Sequence, residues 1–293
     1  MSDFIKDFEF HLKALQLSSF TIDSYVRTVK FFDKNVGNIL GLSTEDIESQ
    51  LNSLGDASKN QNLHALKKFY LFCLERRLIQ KSPVKKIKHK NIEKSVPCFM
   101  SRDEIKMLFN MLDKEIGRSM QTNKQYVEAV RNKAMISLQY SCALRAGEPS
   151  TIKIDDIDWD ENIIYINNGK GQERTAPMNS KTIDSLSYWV ELRSHYAKDD
   201  HLFIALGKNH CGRGLSRGGY AQIVRAKLIE SGLDEYCPHN LRHSSASHLL
   251  QNGLPIHQVS KLLGHSSVNT TIEFYAHVPR DDLQLIDAIE NLI

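Results

Sequence analysis

The sequence predicts a mainly α-helical protein of two domains, the second carrying one small antiparallel three-stranded sheet. Over the first hundred positions apolar residues recur at spacings of three and four. A lysine- and proline-rich stretch then breaks that pattern, and only residues 152–178 alternate in the manner of strands. With 293 residues, 41% hydrophobic and 25% charged, the chain is long enough for two cores of ordinary soluble type.

The elements follow in order. Phe4, Ile5, Phe8, Leu12 and Leu15 mark the inner face of a first helix. Ser18 or Ser19 caps a second, which carries Ile22, Tyr25, Val26, Val29 and Phe32 inward. Ser43-Thr44-Glu45-Asp46 starts a third, with capping oxygens and early acids that suit the helix dipole. A fourth spans Ala57 to Ile79 with Leu63, Leu66, Phe69, Tyr70, Cys73 and Leu74 inward. These helices make a domain of residues 1–80. Residues 81–100, with Pro83, Pro97 and six lysines, read as a basic linker. The second domain, residues 101–293, opens on the capping pattern Ser101-Arg102-Asp103-Glu104. Its sheet comprises a strand near Ile152–Trp159, a second at Ile163–Ile166 and a third at Glu173–Met178. Turns at Asp160-Glu161-Asn162 and Asn167–Gly171 separate them. Helices return at Gly219–Glu230, Arg242–Leu250, Ile256–Leu263 and from about Asp281.

Charge and cysteine usage narrow the function classes. The net charge of +3 averages two opposed regions. Lys59 to Lys94 holds eleven basic residues against Glu75 and Glu93, whereas Glu273 to Ile293 holds five acids and one arginine. A basic stripe of this kind fits a nucleic-acid surface, and equally a solvated helix face. Its candidate phosphate contacts are Lys59, Lys67, Lys68, Arg76, Arg77, Lys85, Lys86 and Lys88. No run approaches the roughly 18 apolar residues of a membrane span, and the mixed start Met1–Asp7 does not read as a signal peptide. The five cysteines are scattered without a C-x-x-C pair, against a disulfide scaffold or cysteine zinc site and in favour of a reducing cytoplasm.

Six of the twelve histidines follow Pro238. His239 and His243, four apart, could share a helix face as zinc ligands do, but no H-E-x-x-H or cysteine pair supports a metal. A phosphate reading uses more residues: Arg242 offers a fixed fork of donors. Gly264 suits the end of a helix and places His265 just beyond it. His243, His248, His257 and His277 are assigned to packing or surface.

As a set, Ala143-Leu144-Arg145-Ala146-Gly147-Glu148, Gly169-Lys170-Gly171, Pro238-His239-Asn240-Leu241-Arg242-His243, Leu262-Leu263-Gly264-His265 and Tyr275 resemble the tyrosine recombinase (phage integrase) family, in its simple two-domain Xer-like form. The resemblance spans roughly Ser101 to Val278, and residues 1–80 resemble that family's core-binding domain more loosely. It implies that Arg145 and Arg242 grip a scissile phosphate, and that His239 and His265 bond its non-bridging oxygens or move protons. It further implies that Lys170 is the general acid for the leaving 5′-oxygen, that Tyr275 is the nucleophile forming a 3′-phosphotyrosyl bond, and that Glu148 braces Arg145. These roles fit elementary chemistry. Fixed cations stabilise charge developing on a phosphoryl group, and a phenol titrating near 10 needs cationic neighbours or a base. Several such cations leave no need for a divalent metal or other cofactor.

The resemblance implies site-specific cleavage and rejoining of double-stranded DNA: integration, excision or resolution. Four protomers would act on two sites, with the C-terminal helix docked on a neighbour or folded back on its own core. The alternatives are an inactive architectural DNA-binding protein of the same fold and a relaxase of the type IB topoisomerase kind. Two departures from the family pattern stand out: Pro149, which should break the helix after Glu148, and Ser244-Ser245-Ala246-Ser247, where an aromatic is usual. The chain starts almost directly with the core-binding-like helices, so no additional arm-type DNA-binding domain is expected.

Overall fold

Serine caps written in the sequence set where several helices begin. The computed structural model describes residues 3–91, 98–119, 124–167, 173–207, 211–265, 267–275 and 292. The chain divides into two units, Met1–Ser95 and Val96–Ile293.

In the first unit α1 (Asp3–Ala14), α2 (Ser19–Asn35), α3 (Thr44–Asn52) and α4 (Asp56–Glu75) enclose one core. Ser18 caps α2 by accepting from the Thr21 N–H, and Ser43 and Asp46 form a reciprocal capping box on α3. Phe8, Phe32, Phe69 and Tyr70 are fully buried, and the Tyr70 hydroxyl donates to the Ile39 carbonyl at 2.7 Å. Two expectations need correction. Leu15 is 48% exposed, because α1 stops at Ala14 and Gln16 turns the chain outward with φ 53°. Likewise α4 stops at Glu75, four residues before Ile79, where Arg77 takes φ 57° and the Leu78 N–H returns to the Cys73 carbonyl at 2.9 Å.

The expected linker differs in its first half. Val84 and Ile87 are buried in the first core, the Thr44 hydroxyl donates to the Pro83 carbonyl, and Asn60 exchanges two hydrogen bonds with the Lys90 backbone. Burial of two apolar side chains ties residues 81–91 to the first unit, while Met100 belongs to the second core.

The second unit begins with α5 (Arg102–Arg118), capped by the expected Ser101–Glu104 box. Next comes α6 (Lys124–Ser141), buried over most of its length against α5 and against α7 (Ser180–Arg193). The sheet has the order β1 (Ile157–Asp158), β2 (Ile163–Asn167), β3 (Glu173–Pro177), antiparallel throughout, with Ile164 opposite both Ile157 and Ala176. Its first strand is shorter than expected, since Ile154–Asp156 forms a 3₁₀ turn. Ile164, Ile166 and Ala176 face the core, so Tyr165 faces solvent. Thereafter α8 (Arg217–Glu230), α9 (Pro238–Gln251), α10 (Ile256–Leu263) and α11 (Val268–Tyr275) complete the described elements. The helix expected from Asp281 lies outside the described residues, apart from Leu292, which is buried in the second core. No helix among the described residues is long and apolar enough to cross a membrane.

The serines that replace an aromatic in α9 are fully buried. Ser244 is used: its hydroxyl accepts from the Met100 N–H and donates to the Asn240 carbonyl, both at 2.8 Å. The hydroxyls of Ser245 and Ser247 meet no hydrogen-bond partner among the described residues.

Candidate active site

Three chain ends aim their side chains at one place. The first is the turn after α6, where Ala143 adopts φ 48° and the Leu144 N–H returns to the Gln139 carbonyl at 2.9 Å. Pro149 does not break a running helix there, because α6 has already ended at Ser141; it sits in a 3₁₀ turn, Glu148–Ser150. The second is the start of α9, where Pro238 occupies the first turn, where its missing N–H costs nothing. His239 is therefore near the helix start, with Arg242 and His243 one turn on. The third is the end of α10, where Gly264 takes φ 63° and turns the chain toward His265 and α11. A Cβ on Gly264 would come within 2.8 Å of the Arg174 side chain, so glycine is needed for space as well as for φ.

The carbonyls at the end of α10 gather guanidiniums, as the negative end of a helix dipole favours. Arg174 Nε donates to the Leu262 carbonyl at 2.7 Å, Arg242 Nη2 to Leu263 at 2.7 Å, and Arg145 Nη2 to Gly264 at 3.0 Å. Arg242 Nη1 also reaches the Ala143 carbonyl at 2.9 Å, fastening the first chain end to the third. Glu148 lies among these cations. Its Oε1 accepts from Arg145 Nη1 at 2.9 Å and Arg174 Nη1 at 3.0 Å. Its Oε2 accepts from the Arg145 backbone N–H at 2.7 Å and Arg174 Nη2 at 2.9 Å. Arg174 therefore makes a bidentate pair with a carboxylate, and both side chains are under 10% exposed.

His265 is fixed by its two neighbours. Arg242 Nη2 lies 3.2 Å from Nε2, and a guanidinium can only donate, so Nε2 accepts. Nδ1 then carries the proton and donates to Thr271 Oγ1 at 2.8 Å. In this arrangement His265 offers no N–H to an anion until it gains a proton or turns its ring. Tyr275, at the end of α11, places its hydroxyl 2.5 Å from His243 Nδ1. The His239 ring packs edge-on against His243 with centroids 4.7 Å apart.

The ionisation states follow from burial and excess positive charge. Burial pushes Glu148 up, but the hydrogen bonds and charge of Arg174, then of Arg145, hold it below the usual carboxylate range. Burial, with Arg145 and Arg174 nearby, lowers Arg242 to about 9, still cationic at neutral pH. Burial and the same guanidiniums lower His265 to about 4. Burial, His239, Arg242 and His265 lower His243 to about 4. Desolvation, Arg242 and Arg145 also lower His239. Burial pushes the Tyr275 hydroxyl well up, and the charge of Arg242 pulls it partly back.

Of the residues singled out in the sequence, Arg145, Glu148, Arg242 and His265 are joined by direct contacts or through the α10 carbonyls. Tyr275 reaches them through His243, and His239 through the same ring. Lys170 lies within residues 168–172, outside the described residues, and so does His277. In the first unit Lys68, Arg76, Arg77, Lys85, Lys86 and Lys88 are exposed; Lys59 and Lys67 are half-buried.

Sequence reasoning missed Arg174 and the hydrogen bond between His243 and Tyr275. Arg174 stands in a short polar strand of ordinary appearance, four residues after Lys170 in the sequence. His243 carried a signal, its spacing of four from His239, but a metal pair and a packing role read it equally well. Its ring packs among His239, Phe274 and Tyr275, and it also meets the Tyr275 hydroxyl. Asp199, Asp200 and His201 bring ligand atoms within 4.8 Å of one another, yet they are committed locally. Asp199 accepts from the Gly214 and His201 N–H groups, and Asp200 pairs with Lys153.

Residues 99–281 match the phage integrase family. The chain belongs to that family. Among curated relatives, the tyrosine recombinase XerD of Oceanobacillus iheyensis is 29% identical, over 96% of this chain and 95% of its own. XerD of Listeria monocytogenes serotype 4b is 26% identical over the same shares. Solved structures share the fold. A crystal structure of XerA recombinase has a TM-score of 0.52 at 24% identity, over 95% of this chain and 94% of that one. A lambda integrase (75–356) dimer bound to a COC′ core site has a TM-score of 0.70 at 15% identity, over 97% and 99%. Arg145, Arg242 and His265 meet at the end of α10, and His243 links Tyr275 and His239 to that group.

Proposed function

We propose that this protein is a site-specific DNA recombinase that cuts and rejoins strands through a phosphotyrosyl bond at Tyr275. One observation carries the reading: Arg145 and Arg174 share a single carboxylate, Glu148, and Arg242 adds a third guanidinium close enough to feel the same charge, beside the Tyr275–His243 pair. The uncompensated positive charge is matched to a phosphodiester. Arg174 bonds Glu148 through both terminal nitrogens and Leu262 through Nε, so it acts as a brace. Arg145 and Arg242 retain N–H groups with no acceptor among the described residues, and these face the phosphate.

When the phosphate arrives, its charge reverses the balance that keeps His265 neutral. His265 then takes a proton and donates to a non-bridging oxygen, alongside His239. As the nucleophile closes on phosphorus, charge grows on those oxygens, and fixed donors already in place lower the barrier. Lys170 protonates the leaving 5′-oxygen. The phosphotyrosyl bond keeps the energy of the broken bond, so rejoining needs no ATP.

The first unit supplies affinity through Lys68, Arg76, Arg77, Lys85, Lys86 and Lys88, with Lys59 and Lys67 in support. Four protomers assemble on two double-stranded sites and exchange strands in turn. Both steps have direct tests. With six or more phosphate contacts, affinity for a site selected from random duplexes falls by about 10³-fold or more between 50 and 200 mM salt. A plasmid carrying two such sites should yield resolved circles. Relaxation with no preferred site would instead mark a type IB relaxase, and tight binding with no product an architectural protein.

A further inference from the structure

We propose that His243 is the base that takes the proton from Tyr275 during strand cleavage and returns it on rejoining, an assignment that rests on Tyr275 being the nucleophile. A tyrosine whose hydroxyl is pushed upward by burial does not ionise alone, so its proton must have a receiver in contact. Three histidines line this place, and geometry separates them. His265 has both nitrogens engaged, by Arg242 and by Thr271. His239 packs its ring on His243 and makes no hydrogen bond to Tyr275. His243 Nδ1 lies 2.5 Å from the Tyr275 oxygen, well inside proton-transfer range.

The surroundings of His243 suit that task. Its ring is held between His239 at 4.7 Å, Phe274 at 6.3 Å and Tyr275 at 6.0 Å, measured between centroids. Beside cationic Arg242 and with little water, the free imidazole stays neutral and can therefore accept. A bound phosphodiester supplies negative charge to the same cluster, so the imidazolium becomes affordable only when substrate is present. The bookkeeping is simple. The Tyr275 Oη–phosphorus bond forms, the phosphorus–5′-oxygen bond breaks, the phenol proton passes to Nδ1, and the leaving oxygen takes a proton from the general acid. On rejoining, a 5′-hydroxyl attacks, Tyr275 leaves, and His243 gives the proton back.

A tyrosine–histidine contact is not diagnostic by itself, as a second pair in the same unit makes plain. Tyr140 and His248 meet at 2.7 Å in the core, both almost fully buried. Among the described residues that pair's cationic neighbour is a single arginine, Arg102, which donates to the His248 carbonyl, whereas His243 and Tyr275 lie beside Arg242, itself flanked by Arg145 and Arg174. The cationic cluster around the His243–Tyr275 pair is what sets it apart.

The test uses the full-length protein on a nicked duplex bearing a selected site, so that cleavage traps the covalent adduct. His243→Gln, which keeps a polar group in reach but cannot relay the proton, should slow adduct formation by about 10²-fold or more. DNA affinity should stay within about twofold and the melting temperature close to wild type. His243→Ala should be slowed similarly and partly rescued by added imidazole. A substrate with a 5′-bridging sulfur, a leaving group that needs no acid, should rescue Lys170→Ala but not His243→Ala. Cleavage by His243→Gln within about threefold of wild type would overturn the assignment alone. So would a slow His243→Ala that imidazole leaves unchanged and the sulfur substrate restores. No adduct from wild type on any selected duplex would overturn the recombinase reading and the assignment together.

Discussion

Replacing Glu148 with glutamine should destabilise the second unit far more than an ordinary carboxylate change. Glu148 is 7% exposed and accepts four hydrogen bonds, two from Arg174 and two from Arg145. A glutamine of the same shape loses the charge and points an NH₂ group at donors that need an acceptor. Removing one partner from a buried, hydrogen-bonded ion pair costs about 3–5 kcal/mol. A domain is stable by roughly 5–15 kcal/mol in total. In urea, with a slope of about 2–3 kcal/mol/M, the midpoint should fall by roughly 1–2.5 M. Both tryptophans, Trp159 and the fully buried Trp189, belong to the second unit, so their fluorescence reports its unfolding. The effect also has a pH signature. Glu148 is held below the ordinary glutamate value of 4.5 when folded, so its contribution is complete above that pH. It is lost as the pH falls through the lower folded value, and the gap between wild type and Glu148→Gln should close there. A variant within about 1 kcal/mol of wild type at pH 7 would refute the claim that Glu148 holds the arginines in place.

Other residues give equally specific outcomes. Gly264→Ala forces φ 63° on a residue with a Cβ and drives that carbon to 2.8 Å from Arg174; chemical denaturation should show a loss of about 1–2 kcal/mol or more, and strand cleavage should weaken with it. Arg174→Lys cannot hold both oxygens of Glu148 and the Leu262 carbonyl at once, so it should cut adduct formation at least tenfold while leaving first-unit binding to non-specific DNA unchanged. Ser245→Ala and Ser247→Ala remove buried hydroxyls that have no partner, and each should raise second-unit stability by about 1 kcal/mol in the same urea titration. Gln16→Gly relieves a left-handed residue at the end of α1 and should raise first-unit stability by about 1 kcal/mol, read from the helical circular-dichroism signal.

Much of this architecture is legible in the sequence because it is local. The capping boxes at Ser43 and Ser101, the Ser18 cap and the α10 stop at Gly264 are each written within a few residues, and each lies where the spacing puts it. Helix ends without glycine are not legible. Gln16, Arg77 and Ala143 take left-handed φ where the next residue's N–H turns back to a carbonyl of the ending helix, and nothing in their chemistry announces it. The proposed catalytic set was visible as motifs, but the contacts among its members were not. Arg174 matters because the end of α10 lies against β3, and His243 because α11 returns over α9; sequence spacing alone carries neither contact. The buried serines of α9 follow the same rule, since only the seating of Met100 on that helix explains Ser244.

The central claim is that Tyr275 attacks a DNA phosphate held by the arginine cluster. The most direct measurement incubates the full-length protein with a nicked duplex carrying a selected site, in EDTA, and resolves the products on a denaturing gel. The account predicts a protein–DNA adduct that survives denaturation, maps to residue 275 after proteolysis, and is absent from Tyr275→Phe. Specific binding without an adduct, or an adduct that persists in Tyr275→Phe, would contradict it.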